Sequence, residues 1–208
     1  KTMNQFNSNF FDSTQEYLNK LHSIFTPEII NQIEQLAEHF LSCWESGRNI
    51  FICGNGGSAA NAIHIANDLH YGAGACGSSP SIKGLKVEAL TSNSAVITCL
   101  GNDIGYENIY SHQLINKASK DDLLIVLSGS GNSQNIINAL LSANKLGLYS
   151  FAILGFSGGK CLDYADTAIH FLIDDMQIAE DTQLIVGHLC MQWLTRNKPN
   201  FIIEHERN

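Results

Sequence analysis

The sequence predicts an α/β protein in which a parallel sheet is covered by helices on both faces. Three observations predict it. Short, near-continuous apolar runs alternate with helix-periodic segments, the pattern of strands buried on both sides. Two of those runs end abruptly in Gly- and Ser-rich loops that open a helix. The chain has 208 residues, a length that fits one domain with a sizeable core.

Residues 6–25 and 29–46 have apolar side chains at helical spacing, among them Ile29, Ile33, Leu36, Phe40, Leu41 and Trp44. Residues 49–53 read as an apolar strand and 59–70 as a helix. The stretch 72–84 is rich in Gly and Ser and reads as a mobile loop. Residues 86–90 form a strand candidate, and 95–100 fit either type. Residues 123–127 are a strand and 135–145 a helix. Two further strands at 150–154 and 167–171 lead to a final helix at 179–194. Residues 195–208 lose periodicity and read as a polar tail. Neither a linker nor an internal repeat interrupts the pattern, so 1–208 is one domain: N-terminal helices (1–46), an α/β core (47–194) and the tail.

The formal net charge of −8 argues against a nucleic-acid surface, which is usually basic. No apolar run reaches the length of a membrane span. The polar N-terminal stretch lacks the apolar core of a signal peptide. The six cysteines, Cys43, Cys53, Cys76, Cys99, Cys161 and Cys190, are scattered and form no CxxC pair. Cys53 and Cys99 sit in apolar stretches and read as small buried hydrophobes. A cytoplasmic protein with reduced thiols, free of membrane and nucleic-acid partners, is the expectation.

The most informative segment is Ile125-Val-Leu-Ser-Gly-Ser-Gly-Asn-Ser-Gln-Asn135. A strand, a hydroxyl-rich loop and a helix start follow one another. The first N–H groups of a helix have no internal partner, and the helix dipole favours an anion there. Glycines admit close approach, and the hydroxyls of Ser128, Ser130 and Ser133 can donate to phosphate oxygens. The loop has no lysine, which excludes a nucleotide P-loop and leaves a small phosphate monoester. No nucleotide cofactor is expected. The bland alternative is a Ser-rich helix cap. A second loop, Gly54-Asn55-Gly56-Gly57-Ser58, follows the first strand. In a doubly wound sheet both loops lie at the carboxyl ends of strands, where ligands bind. A third, at residues 101–105, offers Asn102 and Asp103, although Gly, Asn and Asp also make ordinary turns.

Four residues apart on one helix, His64 and Asp68 share a face. A histidine and a carboxylate so placed suit a divalent metal or acid/base chemistry, or a simple surface contact. Glu180, Asp181 and His188 lie on the last helix. His188 sits among Ile185, Val186, Leu189 and Met191, where a lone histidine is more often a hydrogen-bonded core residue than a ligand.

The segments FICGNGGSAANAIHIANDL, CLGNDIGYENIYSHQL and LIVLSGSGNSQNII, with Gly158-Gly159-Lys160, resemble the sugar-isomerase (SIS) domain. Within it they are most similar to the phosphoheptose isomerases. The resemblance runs from about Phe6 to Leu194. It implies a five-stranded parallel sheet, a homotetramer with active sites between subunits, and zinc. The implied reaction converts sedoheptulose 7-phosphate to D-glycero-D-manno-heptose 7-phosphate, an early step toward surface-polysaccharide heptose. By position, Asn55, Gly56, Gly57, Ser58, Asn102, Asp103 and Glu180 would contact the substrate. Ser128, Gly129, Ser130 and Ser133 would hold its phosphate. His64, Asp68, Glu180 and His188 would hold the metal, with Asp68 as catalytic base and His188 as acid.

Three departures stand out. Asp68 is one methylene shorter than the family's glutamate. Glu180 falls where many members have glutamine. The 72–84 loop lacks the arginine and basic character of heptose-pathway members, which leaves a relative acting on another phosphosugar open. Glu180 and His188 are also eight residues apart, about 12 Å of rise and about 80° of rotation on a regular helix. His64, Asp68 and His188 therefore rank ahead of Glu180 as ligands. The competing reading is a non-catalytic SIS module resembling the DnaA-initiator-associating protein. A pure binding module has no need of His188 with the His64–Asp68 pair.

Overall fold

The computed structural model describes residues 9–73 and 83–199. Features expected at 1–8, at 74–82 (including Cys76) and at 200–208 lie outside the described residues. Five parallel strands form one sheet in the order β2-β1-β3-β4-β5. They are β1 (Asn49–Gly54), β2 (Lys86–Ala89), β3 (Leu123–Ser128), β4 (Tyr149–Leu154) and β5 (Thr167–His170).

Two helices precede the sheet, α1 (Phe10–Ser23) and α2 (Pro27–Ser46). The α2 boundaries are written in the chain. Thr26 caps its start by accepting from the Ile29 N–H, Pro27 opens its first turn, and Gly47 closes it in the left-handed region. The remaining helices are α3 (Gly57–Asn67), α4 (Ser94–Asp103), α5 (Ser111–Lys117), α6 (Gln134–Leu146), α7 (Cys161–Tyr164) and α8 (Met176–Arg196).

Alternation along the strands splits the core in two, because successive side chains point to opposite faces. Ile50, Ile52, Leu123, Ile125, Phe151 and Ile153 pack with α2, α3 and α8. Phe51, Cys53, Leu124, Val126, Ala152 and Leu154 pack with α5, α6 and α7. Every residue of β3 is buried, which is why its sequence reads as an unbroken apolar run. At the amino end, the buried Asp122 carboxylate accepts from the Asn49 and Ser119 N–H groups at 2.8 Å and pins β1 to β3.

The strand order reverses direction between β1 and β3. In an open parallel sheet, this is the switch point whose carboxyl-end crevice receives ligands. The loops after β1 and β3 flank it.

Several sequence expectations need correction. Residues 95–100 belong to helix α4, none of whose residues is buried. Cys99 is consequently exposed rather than buried. Asn102 and Asp103, expected in a loop, are in the last turn of α4, which Ile104 caps. The helix expected over 59–70 is α3, which passes into a π-turn at Asp68–Gly72. Helices α5 and α7 are too short to leave a clear periodic signal.

Candidate active site

The serine loop is held in shape by its own hydroxyls. Ser128 Oγ accepts from the Gly131 N–H at 3.0 Å, and Ser130 Oγ accepts from the Asn132 N–H at 3.3 Å. The chain then turns through Gly131 at φ +64°, where a side chain would collide with the Gly158 carbonyl. Only glycine fits there. Ser133 is the N-cap of α6, yet its side chain makes no capping bond. Its hydroxyl and the first N–H groups of α6 remain available to an anion. The 155–161 turn braces the loop through Gly155 N–H to Gly129 O and Cys161 N–H to Gly131 O, both at 3.0 Å.

His64, Asp68 and His188 come together where α3 crosses α8. The His64 and His188 Nε2 atoms are 3.0 Å apart, and Asp68 Oδ2 lies 3.3 and 3.4 Å from them. The crossing is close because Gly187 has no side chain. A Cβ there would sit 2.7 Å from Ile65 Cγ1. Asp68 opens the π-turn, in which the Ala73 N–H reaches back five residues to Asp68 O at 2.9 Å. Such widened turns recur at functional sites because they reset which side chains share a face. The histidine side chains are about half exposed, at 50% and 47%, and the aspartate is 19% exposed. The three donor atoms lie within 4.8 Å of one another. Zinc bonds of about 2.0–2.2 Å at tetrahedral angles separate neighbouring ligand atoms by about 3.4 Å. The set therefore fits a zinc-sized ion.

Glu180 is not part of that cluster. Its carboxylate lies over Gly57, 2.4 Å from the position a Cβ would take, at the amino end of α3. A carboxylate is favoured there by the helix dipole. Ser58 is buried and its hydroxyl accepts from Gln183 Nε2 at 3.0 Å, while Gln183 Oε1 accepts from Asn61 at 2.9 Å. These contacts place Ser58 in the α3–α8 seam. Asn102 and Asp103 are exposed and bonded to each other at 2.7 Å. Among the described residues, no bond joins them to either loop.

Asn55 is the best-anchored of the expected substrate residues. It exchanges two 2.8 Å hydrogen bonds with Asn135, one in each direction. Its Oδ1 also accepts from the Tyr106 hydroxyl at 3.0 Å, and the Tyr110 hydroxyl, 3.3 Å away, gives its proton to the Gly54 carbonyl. Asn135, Tyr106 and Tyr110 were not singled out from the sequence. The available signal was Asn135 itself, an amide among apolar helix positions in the first turn of α6.

The buried thiols are poor nucleophiles. Burial pushes Cys43 and Cys161 up to about 11 and Cys190 up to about 12. Burial raises Cys53 further still. At neutral pH all four stay protonated, so the carboxylate and imidazoles are the groups suited to proton transfer.

Comparison with known proteins agrees with the fold. Residues 10–155 match the SIS domain family. A phosphoheptose isomerase from Sulfurimonas denitrificans is 37% identical over 163 residues, covering 77% of this chain and 80% of the relative. The structure of a phosphoheptose isomerase from Francisella tularensis superimposes with a TM-score of 0.78 at 26% identity, covering 92% of this chain and 100% of the other. One from Neisseria gonorrhoeae gives 0.77 at 26% identity, with 89% and 95% covered. The chain belongs to the SIS-domain phosphoheptose isomerases.

Proposed function

We propose that this protein interconverts sedoheptulose 7-phosphate and D-glycero-D-manno-heptose 7-phosphate, feeding heptose into surface polysaccharide from the cytoplasm. The observation that carries the reading is the convergence of His64, Asp68 and His188 in a chain of this family. The reaction moves a proton between C1 and C2 through an enediol. It needs a base at carbon, an acid at the carbonyl oxygen and support for the oxyanion. Asp68 takes the proton from carbon. His188 gives a proton to the carbonyl oxygen, and the roles exchange in reverse. Asp68 Oδ2 faces the imidazoles, and among the described residues Oδ1 has only the long 3.5 Å approach of Asn67. One carboxylate can therefore serve both the cluster and the substrate. A zinc ion held by His64, Asp68 and His188 would polarise the carbonyl as a Lewis acid. The testing experiment is aldose formation from sedoheptulose 7-phosphate. No product from this or any other ketose phosphate would favour a binding module instead.

The phosphate end belongs to the serine loop. Ser130→Ala is expected to weaken phosphosugar binding by about 1–3 kcal/mol, the cost of leaving a charged acceptor short of a donor. The fold should survive, since the side chain is only half-buried. Unchanged Michaelis constants in alanine variants of Ser128, Ser130 and Ser133 would refute this role.

Assembly completes the reading. Met176 packs on Gly129, and His188 lies twelve residues further along α8, about 18 Å of rise. That rise is longer than an extended heptose phosphate, which supports a site in which the serine loop of one copy is served by the triad of another. No residue of α1 is buried, and Phe10 is 88% exposed. Ile63 and Leu189, beside the two histidines, are exposed as well. Covering these surfaces would give the expected homotetramer. Light scattering at micromolar concentration is expected to show it, and a monomer would contradict a shared site. Among the described residues, no helix is long and apolar enough to cross a membrane.

A further inference from the structure

We propose that Asn135 is a positioning residue, clamping the loop after β1 to the serine loop so that both ends of a phosphosugar are held in register. The inference rests on the phosphate reading above and extends it to a residue that touches neither the triad nor the loop hydroxyls. Asn135 is 2% exposed and lies on the first turn of α6, two residues after the Ser133 N-cap. Asn55 lies directly after β1. Their two amides meet edge to edge, each donating and accepting at 2.8 Å. The bridge spans the β1/β3 switch point, the crevice where ligands of such sheets bind.

Tyrosine hydroxyls hold the Asn55 end of the clamp. The Tyr106 hydroxyl donates to Asn55 Oδ1 at 3.0 Å. Tyr110 gives its single proton to the carbonyl of Gly54, the chain neighbour of Asn55. Burial, then Cys53 and Tyr106, raise the Tyr110 hydroxyl well above its ordinary range. It therefore stays a donor at any working pH. With its oxygen and one N–H so engaged, Asn55 cannot swing, and the backbone of Gly56 and Gly57 beyond it is presented in one orientation. A buried pair that merely satisfied itself would stabilise the fold equally whatever bound outside. A clamp acts on the separation of two half-sites, so it affects a ligand that spans both and spares one that occupies a single half.

Inorganic phosphate fills one half and sedoheptulose 7-phosphate fills both. The experiment measures KM for the sugar, the inhibition constant for inorganic phosphate, and thermal stability. It compares wild type with Asn135→Ala and Tyr106→Phe. Asn135→Ala is expected to raise KM by about tenfold or more, while the phosphate constant moves by less than about twofold. Tyr106→Phe removes one donor from a ring that is 55% exposed, so it keeps the fold even if Asn135→Ala does not. It should raise KM by about threefold with the phosphate constant again unmoved. The clamp is overturned if both constants rise together, or if KM is unchanged in the folded variants. An active wild type that inorganic phosphate does not inhibit would instead overturn the phosphate reading. The clamp is then decided by KM alone.

Discussion

Asp68→Asn and His188→Gln are each expected to lose turnover by about 10²–10⁴-fold, the usual worth of a positioned proton-transfer group, while still binding phosphosugar. Asp68→Asn keeps the size of the side chain and removes the base. His188→Gln keeps a hydrogen-bonding amide that cannot shuttle a proton. Neither residue belongs to the serine loop proposed to hold the phosphate, so neither change should loosen the phosphate end. Each also removes a donor from the three-residue cluster. Zinc content after dialysis should therefore fall in both, because affinity depends on ligand count. Asp68→Glu is the sharper variant. If the site accepts the family's longer carboxylate, activity on the heptose phosphate persists. If the pocket is built around the shorter one, the base is misplaced, and an error near 1 Å can cost on the order of 10²-fold. Near-normal turnover in both Asp68→Asn and His188→Gln would place the chemistry elsewhere.

Gly187→Ala is expected to damage both stability and catalysis through a single methyl group. The added Cβ would meet Ile65 Cγ1 at 2.7 Å and Cδ1 at 3.1 Å. Ile65 is buried in the core between the sheet and α8 and has little room to turn away. Overpacking of this kind costs about 1–3 kcal/mol, visible as a lower denaturation midpoint. Relief comes by moving α8 away from α3, and His64 rides on one helix while His188 rides on the other. Their 3.0 Å approach would open, and misplacement on the order of 1 Å costs about 10²-fold in turnover. A Gly187→Ala enzyme with wild-type midpoint and turnover would show that the crossing tolerates more than its geometry suggests.

The two loops illustrate what kind of information the chain holds locally. Ser128 to Ser133 could be read as an anion loop because a buried strand, small flexible residues and a helix start must occur in sequence order. His64 and Asp68 could be paired because four residues on a helix make one face. The strand runs could be recognised because both sides of the sheet are covered, leaving no polar alternation. Short helices were less legible: seven residues in α5 and four in α7 are too few for a period to emerge. Cys99 is exposed because an apolar stretch in sequence becomes an outward-facing helix in space.

By itself, then, the sequence determined the α/β class, the strand order of appearance, the strand–serine loop–helix segment and the His64–Asp68 face, since each depends on neighbours within a turn or two. Only the tertiary structure decided that His188 leaves the apolar company of its own helix to meet His64, that Glu180 lies over Gly57 instead, and that Asn55 is gripped by Asn135, 80 residues away. Those outcomes follow from where helices cross and strands align. Crossing distance is set by a missing side chain such as that of Gly187, and alignment by the switch between β1 and β3. Neither is a property of any one segment.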